Sequence, residues 1–380
     1  MIERHIVSKK KKVLNPSLVI PSAVVSLLVT ISLMLALRPV ASKIGLVDNP
    51  GGRKHHTGTV PLIGGIAMLL GVIAGASVIV DPNMAYGSLL VASFLLVVVG
   101  VVDDIHAVRP VIRILIQIAA ILLMMYGADL SLSSIGSPFG LGEIILGPFT
   151  LLGTTVVGIT VINAYNLVDG ADGLCGTLVI ITLTSLLIAG GGGWSLGIAA
   201  VAICAVLGFL VFNFPSIHNR HIRAFMGDAG STFLGFLIVG VALSITQGVN
   251  RSISPVAVLW FASIPLYDLF TCSVTRVLSG KSPFTPGRDH FHHWLRRGGF
   301  NGIEKVAILG GLQALYASIA LIGHFAGVPD FVLFFGWAVL GLTQATVIRT
   351  ISKHHRHYLQ RQLKNGKLSP ERAKRTKLLR

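Results

Sequence analysis

The sequence has 380 residues, 53% of them hydrophobic and only 12% charged, with a mean hydropathy of +0.77; soluble domains carry about 25% charged residues. That composition excludes an ordinary cytosolic enzyme. The formal charge of +16 does not point to nucleic acid, because Lys and Arg sit in short clusters between apolar runs and in one tail. Membrane topology and anionic headgroups explain that distribution.

In chain order, a basic tail (1–17) with Arg4 and Lys9 to Lys12 precedes the first apolar run, which has no convincing cleavage site and is expected to be a retained helix. Further runs begin near Leu62, Met84, Val108, Leu151, Gly173, Ser195, Thr232, Ile253, Val306 and Phe331. Each is about 20 residues, long enough to cross a hydrocarbon core of roughly 30 Å. Lacking the alternation of barrel strands, they predict an all-α polytopic membrane protein, a bundle of about 11 transmembrane helices over 18–349. The stretch 129–148, rich in Gly, Pro and Ser, reads as an external loop or small hairpin, and Gly190 to Gly193 as a loop. A basic tail (350–380) closes the chain.

Basic residues concentrate in alternate loops, among them Lys43, Arg53, Lys54, Arg109, Arg113, Arg220, Arg223, Arg276, Arg288, Arg296 and Arg297, while the intervening loops hold only Arg251. Those loops and the C-terminal tail are expected in the cytosol. The N-terminal lysines conflict with that parity. Cys175, Cys204 and Cys272 lie in or beside apolar runs without CxxC spacing, so neither a disulfide framework nor a structural zinc site is expected.

The carboxylates carry the functional signal. Asp103 and Asp104 close one run, Asp169 and Asp172 follow another, and Asp228 opens a third, all at the same expected face. Any one could be a solvated helix end, and Asp228 could be only an N-cap. Clustered acids with almost no neighbouring base are costly unless a cation compensates, and an all-oxygen set suits Mg2+, with Mn2+ able to substitute. Adjacent helical residues diverge by about 100°, so Asp103 and Asp104 cannot both face one ion. Opposite them stand Arg53, Lys54, His55 and His56, and the Ser282–His293 loop with Arg288, His290, His292 and His293. Cations and imidazoles facing a metal–carboxylate floor suit a pyrophosphate. Zinc is disfavoured at the histidines because no cysteine accompanies them in sequence. Gly280-Lys281-Ser282 is not a P-loop, since Thr275 stands where the leading glycine belongs.

These elements, in this order, resemble the polyprenyl-phosphate N-acetylhexosamine-1-phosphate transferases of bacterial envelope synthesis (glycosyltransferase family 4): the Asp103-Asp104 pair, the Asn163–Leu174 segment, Met226-Gly227-Asp228 with Gly230-Ser231, and the histidine loop. Pro61-Leu62-Ile63-Gly64-Gly65 and the histidine loop are similar to the WecA-type branch, which uses UDP-N-acetylglucosamine and undecaprenyl phosphate. Gly287 departs from it, since that branch commonly has Asp before Arg288, so another UDP-hexosamine or UDP-MurNAc-pentapeptide stays open. An ion-coupled transporter is the different-class alternative, for which Asp268 is the intramembrane acid. The resemblance implies a multi-pass protein of the bacterial inner membrane with a cytosolic-face cleft, often dimeric, that starts O-antigen or enterobacterial common antigen synthesis. It implies Mg2+ on Asp228 with Asn166, uracil held by Asp172 and Phe225, and the sugar and diphosphate met by Arg288 and the histidines. Asp103 or Asp104 would position the lipid phosphate. Asp169 joins the catalytic set, and Arg53, Lys54, Asn163 and Arg223 join the substrate contacts.

Overall fold

A computed structural model of the chain describes residues 16–48, 58–79, 84–190, 194–215, 223–248, 251–280, 282 and 290–365. Arg53, Lys54 and Arg288 lie outside them, as do the N-terminal lysines. The chain is almost wholly helical: α1 (Val19–Ala36), α2 (Arg38–Ile44), a two-stranded ladder of β1 (Val47–Asp48) and β2 (Val60–Pro61), then α3 (Gly64–Ile79), α4 (Met84–His106), α5 (Pro110–Ala128), α6 (Thr150–Val168), α7 (Leu174–Ala189), α8 (Trp194–Asn213), α9 (Gly227–Thr246), α10 (Pro255–Phe261), α11 (Ser263–Leu278), α12 (Phe291–Gly298), α13 (Gly302–Phe325) and α14 (Asp330–Lys364). It is an all-α multi-pass membrane protein.

Helices begin within a few residues of the eleven expected positions, but their lengths differ. Among the described residues eight are long and apolar enough to cross a membrane, nine if α10 and α11 form one broken span, while α3 and α7 are shorter apolar helices of 16 residues. The α10–α11 pair bends by 83°, where the sequence suggests one continuous run. Pro265 lacks the N–H that would bond the Phe261 carbonyl four residues back. That carbonyl accepts instead from Thr182 Oγ1 and Gln313 Nε2, and Gln313 Oε1 accepts the Ile264 N–H at 2.8 Å. Two polar side chains from α7 and α13 thus satisfy the break inside the bundle.

Helix α9 is the hub. It is buried on nearly every side and packs on α3, α4, α6, α7 and α8, the state expected of a helix apolar all round. Small residues let its neighbours close in: a Cβ on Gly65 would lie 2.4 Å from the Gly230 nitrogen, and one on Gly100 2.3 Å from Ala229 Cα. The 129–148 segment forms the expected hairpin, paired through Ser134 and Ile145, and lies at the opposite end of the bundle from Asp228.

Candidate active site

Helix ends build the site. The C-terminal ends of α4 and α6 meet the N-terminal ends of α5 and α9, as sequence alternation requires of antiparallel neighbours with short links. Asp228 is not an N-cap; it sits inside the first turn of α9, whose N-cap is Met226. The capping carboxylate comes from another helix, since Asp104 Oδ1 accepts the Asp228 N–H at 3.0 Å. Asp104 Oδ2 is enclosed without a hydrogen-bond partner among the described residues.

Asp103 turns away, as adjacent helical positions must. Its Oδ1 accepts the Val108 N–H at 2.6 Å and its Oδ2 stands 2.7 Å from Arg113 Nη1. The same guanidinium nitrogen is 3.2 Å from Asp228 Oδ2, and Arg113 Nη2 donates to Asn166 Oδ1 at 3.3 Å. Asn166 Nδ2 in turn donates to Asp228 Oδ1 at 2.8 Å and Ser231 Oγ at 2.9 Å. One arginine and one asparagine therefore lock four helix ends into a polar floor, and a crevice lined by Asp103, Arg113, Gln117, Asp228 and Thr232 opens between α4, α5 and α9.

Asn163, expected at the substrates, is not part of this floor. It lies one turn deeper in α6 and donates to Gln117 Oε1 and the Ile159 carbonyl, both at 2.8 Å. It joins α6 to α5 inside the bundle.

Asp169 and Asp172 occupy the turn between α6 and α7. Burial pushes the Asp169 carboxyl well above the usual carboxylate range, with Asp228, Asp104 and Asp172 adding like-charge repulsion. Asp172 is ion-paired with Arg223, whose Cζ stands 5.1 Å from the Phe225 ring centroid. The Pro61–Gly65 stretch places that ring: Pro61 O accepts the Phe225 N–H at 2.9 Å, and the Gly64 and Gly65 N–H groups donate to Phe225 O and Met226 O at 3.0 and 3.2 Å. Asn213 fastens the neighbouring loops, accepting from Gly173 N and donating to Ala224 O at 2.8 and 2.9 Å.

The histidines reach the same turn through α12. His292 is 3% exposed, and its ring nitrogens have no hydrogen-bond partner among the described residues. Its Nε2 would lie 2.4 Å from a Cβ on Gly170, so the ring rests on the backbone between Asp169 and Asp172. Burial, then His293 and His290, hold His292 well below the usual imidazole range, and burial, then Arg296, push His293 down to about 3. Both are neutral imidazoles at neutral pH. The expectation that no cysteine accompanies the histidines is overturned: Cys272 Sγ and Asp268 Oδ2, 18 and 22 positions back in the chain, stand 3.2 and 3.1 Å from His290 Nδ1.

The structure thus joins Asp103, Asp104, Asn166 and Asp228 in one hydrogen-bonded floor, with Asp169, Asp172, Arg223, Phe225 and His292 beside it. Two contributors escaped the sequence reading. Arg113 carries only topological charge there, yet Arg113 and Gln117 are the only polar side chains of the run 110–125 and are spaced i, i+4, which marks a stripe facing protein. Asp268, Cys272 and Arg276 form the same kind of stripe on α11.

Residues 86–246, which contain the whole acidic floor, match the family model for glycosyl transferase family 4. The undecaprenyl-phosphate alpha-N-acetylglucosaminyl 1-phosphate transferase of Escherichia coli (strain K12) is 39% identical over 301 residues, covering 78% of this chain and 82% of the relative. Proteins of the same description from Yersinia pestis and Pasteurella multocida are 37% and 34% identical, covering 80% and 84% of this chain and 85% and 90% of their own lengths. Similarity of that extent spans the floor, the Asp172–Arg223–Phe225 contact and the histidine helix together, and the chain belongs to glycosyl transferase family 4, in the branch of the undecaprenyl-phosphate N-acetylglucosaminyl 1-phosphate transferases.

Proposed function

We propose that this protein transfers N-acetylglucosamine 1-phosphate from UDP-N-acetylglucosamine to undecaprenyl phosphate, releasing UMP, at the cytosolic face of a bacterial inner membrane. The observation that carries the reading is the floor itself: Asp104, Asp228 and Asn166 converge at the bundle end where the basic helix ends also lie, with Arg113 bridging Asp103 and Asp228. The positive-inside rule supports a cytosolic placement of that end and of the C-terminus.

The reaction joins two anions, so neutralisation and alignment are the main demands on the protein. A phosphate monoester has a second pKa near about 6, so the attacking oxygen is already ionised at neutral pH and needs orientation more than deprotonation. Arg113, held by Asp103 and free to exchange partners at Asp228, is placed to meet the acceptor phosphate at the crevice between α4 and α5. Phe225 offers a stacking face for uracil, and Asp172 offers a carboxylate for its N–H once Arg223 turns to the diphosphate. His292 and His293, kept neutral, can donate or accept at the sugar without adding charge.

A divalent cation fits the floor. The metal ligands offered there are oxygens, Asp104 Oδ2 is buried without a hydrogen-bond partner among the described residues, and the carboxyl groups of Asp104 and Asp228 crowd together. Asp228 and Asn166, with Asp104 behind them, would hold Mg2+. When bound, the ion would supply positive charge that offsets the negative charge of the donor's diphosphate.

The test is UMP release by the purified protein in detergent with undecaprenyl phosphate and Mg2+, offering UDP-GlcNAc, UDP-GalNAc and UDP-MurNAc-pentapeptide separately, with Asp228→Ala as the blank. Release with UDP-GlcNAc alone, abolished in the variant, is expected. Release with another donor refutes the sugar assignment, and none with any donor refutes the reaction.

A further inference from the structure

Asp268 is 1% exposed on α11, and both its oxygens are engaged by the histidine segment. Oδ1 accepts the Phe291 N–H at 2.8 Å, the first residue of α12, and Oδ2 stands 3.1 Å from His290 Nδ1. Cys272 Sγ is 3.2 Å from the same nitrogen. A ring nitrogen carries at most one hydrogen, and a carboxylate is a much stronger acceptor than a thiol sulfur. Nδ1 therefore donates to Asp268. The other ring nitrogen, Nε2, has no hydrogen-bond partner among the described residues, and the ring lies parallel to His292, at 6° with centroids 5.7 Å apart.

We infer that Asp268 is a positioning residue for His290: it holds the Nδ1 proton, sets the ring plane alongside His292, and leaves Nε2 as the atom that meets the donor's diphosphate. This rests on the proposed sugar-phosphate transfer. A carboxylate on the far side of an imidazole fixes its tautomer and supports positive charge on the ring when Nε2 takes a proton beside an anion. Here the same carboxylate also pins the backbone at the start of α12, so one buried group sets both the ring of His290 and the helix that carries His292 and His293.

Asp268→Asn is the discriminating variant. The amide keeps the size and an oxygen for the Phe291 N–H, but it turns an N–H2 toward Nδ1, which must then present its lone pair and surrender the proton to Nε2. A purely structural Asp268 would tolerate this. We expect kcat to fall about 10- to 100-fold, the range for loss of an orienting carboxylate, with the KM for the donor within about threefold. His290→Ala should fall as far, and the double variant no further. A kcat for Asp268→Asn within about threefold of wild type, or losses that multiply in the double variant, would overturn the inference. Should Asp268→Asn not fold, 15N NMR of histidine-labelled wild type decides: a protonated Nδ1 on His290 supports the inference and a bare Nδ1 overturns it. Stoichiometric zinc in purified wild type, lost in Asp268→Asn, would also overturn it, because Asp268, Cys272 and His290 offer three donor atoms within 4.8 Å of one another. Failure of wild type to release UMP would sink the transfer reaction and leave the NMR result standing.

Discussion

Gly100→Ala tests whether the α4–α9 contact, rather than the acids alone, sets the site. A Cβ at Gly100 would lie 2.3 Å from Ala229 Cα, 2.4 Å from Ala229 N and 2.9 Å from Asp228 C. Restoring ordinary contact near 3.4 Å requires the first turn of α9 to withdraw by about 1 Å. Retreat is opposed on the far side by α3, where Gly65 already meets Gly230, so overpacking should destabilise by about 1–3 kcal/mol. Asp228 moves with Ala229, and its 3.0 Å bond to Asp104 and 2.8 Å bond from Asn166 would stretch toward the limit of hydrogen bonding. A misplacement of about 1 Å at a reacting centre costs on the order of 100-fold. The expected outcome is a kcat about 100-fold down in UMP release, with the protein still folded in detergent and its melting temperature lowered. Gly87→Ala in the same helix is the control, since a Cβ there meets nothing within 4 Å. A folded Gly100→Ala protein that turns over at the wild-type rate would refute the reasoning.

Arg113→Ala leaves Asp103 and Asp228 without their shared cation, and should destabilise by about 1–3 kcal/mol, reduced by the partial exposure of the arginine; in thermal unfolding, added Mg2+ should stabilise this variant more than wild type. Asp104→Asn should raise the Mg2+ needed for half-maximal rate by about tenfold or more, whereas Asp103→Asn should leave it unchanged. Phe225→Leu should raise the KM for the donor by roughly tenfold through lost base stacking and leave that for the lipid acceptor unchanged, read by varying each at saturation of the other. His293 sits at about 3 when folded against 6.5 as a free imidazole, so below pH 6.5 the unfolded chain binds a proton that the folded chain refuses. Ligand-free stability should therefore be full above pH 6.5 and fall as pH drops toward 3, and His293→Gln should flatten that decline in melting temperature; an unchanged slope would contradict the burial of His293.

Hydropathy made the helix positions legible because lipid allows few alternatives, and the ordered acid motifs identified the family. The bend after Phe261 was not legible: Pro265 signals a missing N–H, but an apolar run around it reads as one span until Thr182 and Gln313 are known to satisfy the freed carbonyl. Asn163 poses a related difficulty. An amide in an apolar helix must find partners, and sequence cannot tell a partner helix from a substrate. Arg113 was assigned to topology because positive charge at a helix start is already explained by the membrane rule, which hides any second role. Sequence separation concealed the pairing of Asp268 with His290, since the two lie 22 positions apart.

The distribution of charge within the floor says where a cation belongs. Asp103 is paired with Arg113, and Asp172 with Arg223. Burial and the neighbouring carboxylates hold Asp169 well above the usual carboxylate range. Asp104 accepts the Asp228 N–H, and Asp228 meets the longer, 3.2 Å arm of Arg113. Backbone N–H groups at the start of α9 stabilise one carboxylate oxygen there but leave Asp104 Oδ2 enclosed with no hydrogen-bond partner among the described residues, a cost of several kcal/mol that a divalent ion would remove. Arg113 bridges Asp103 and Asp228 at the crevice between α4, α5 and α9. A single arginine therefore ties two of the floor's carboxylates together, and it cannot serve both of them and a substrate phosphate at once.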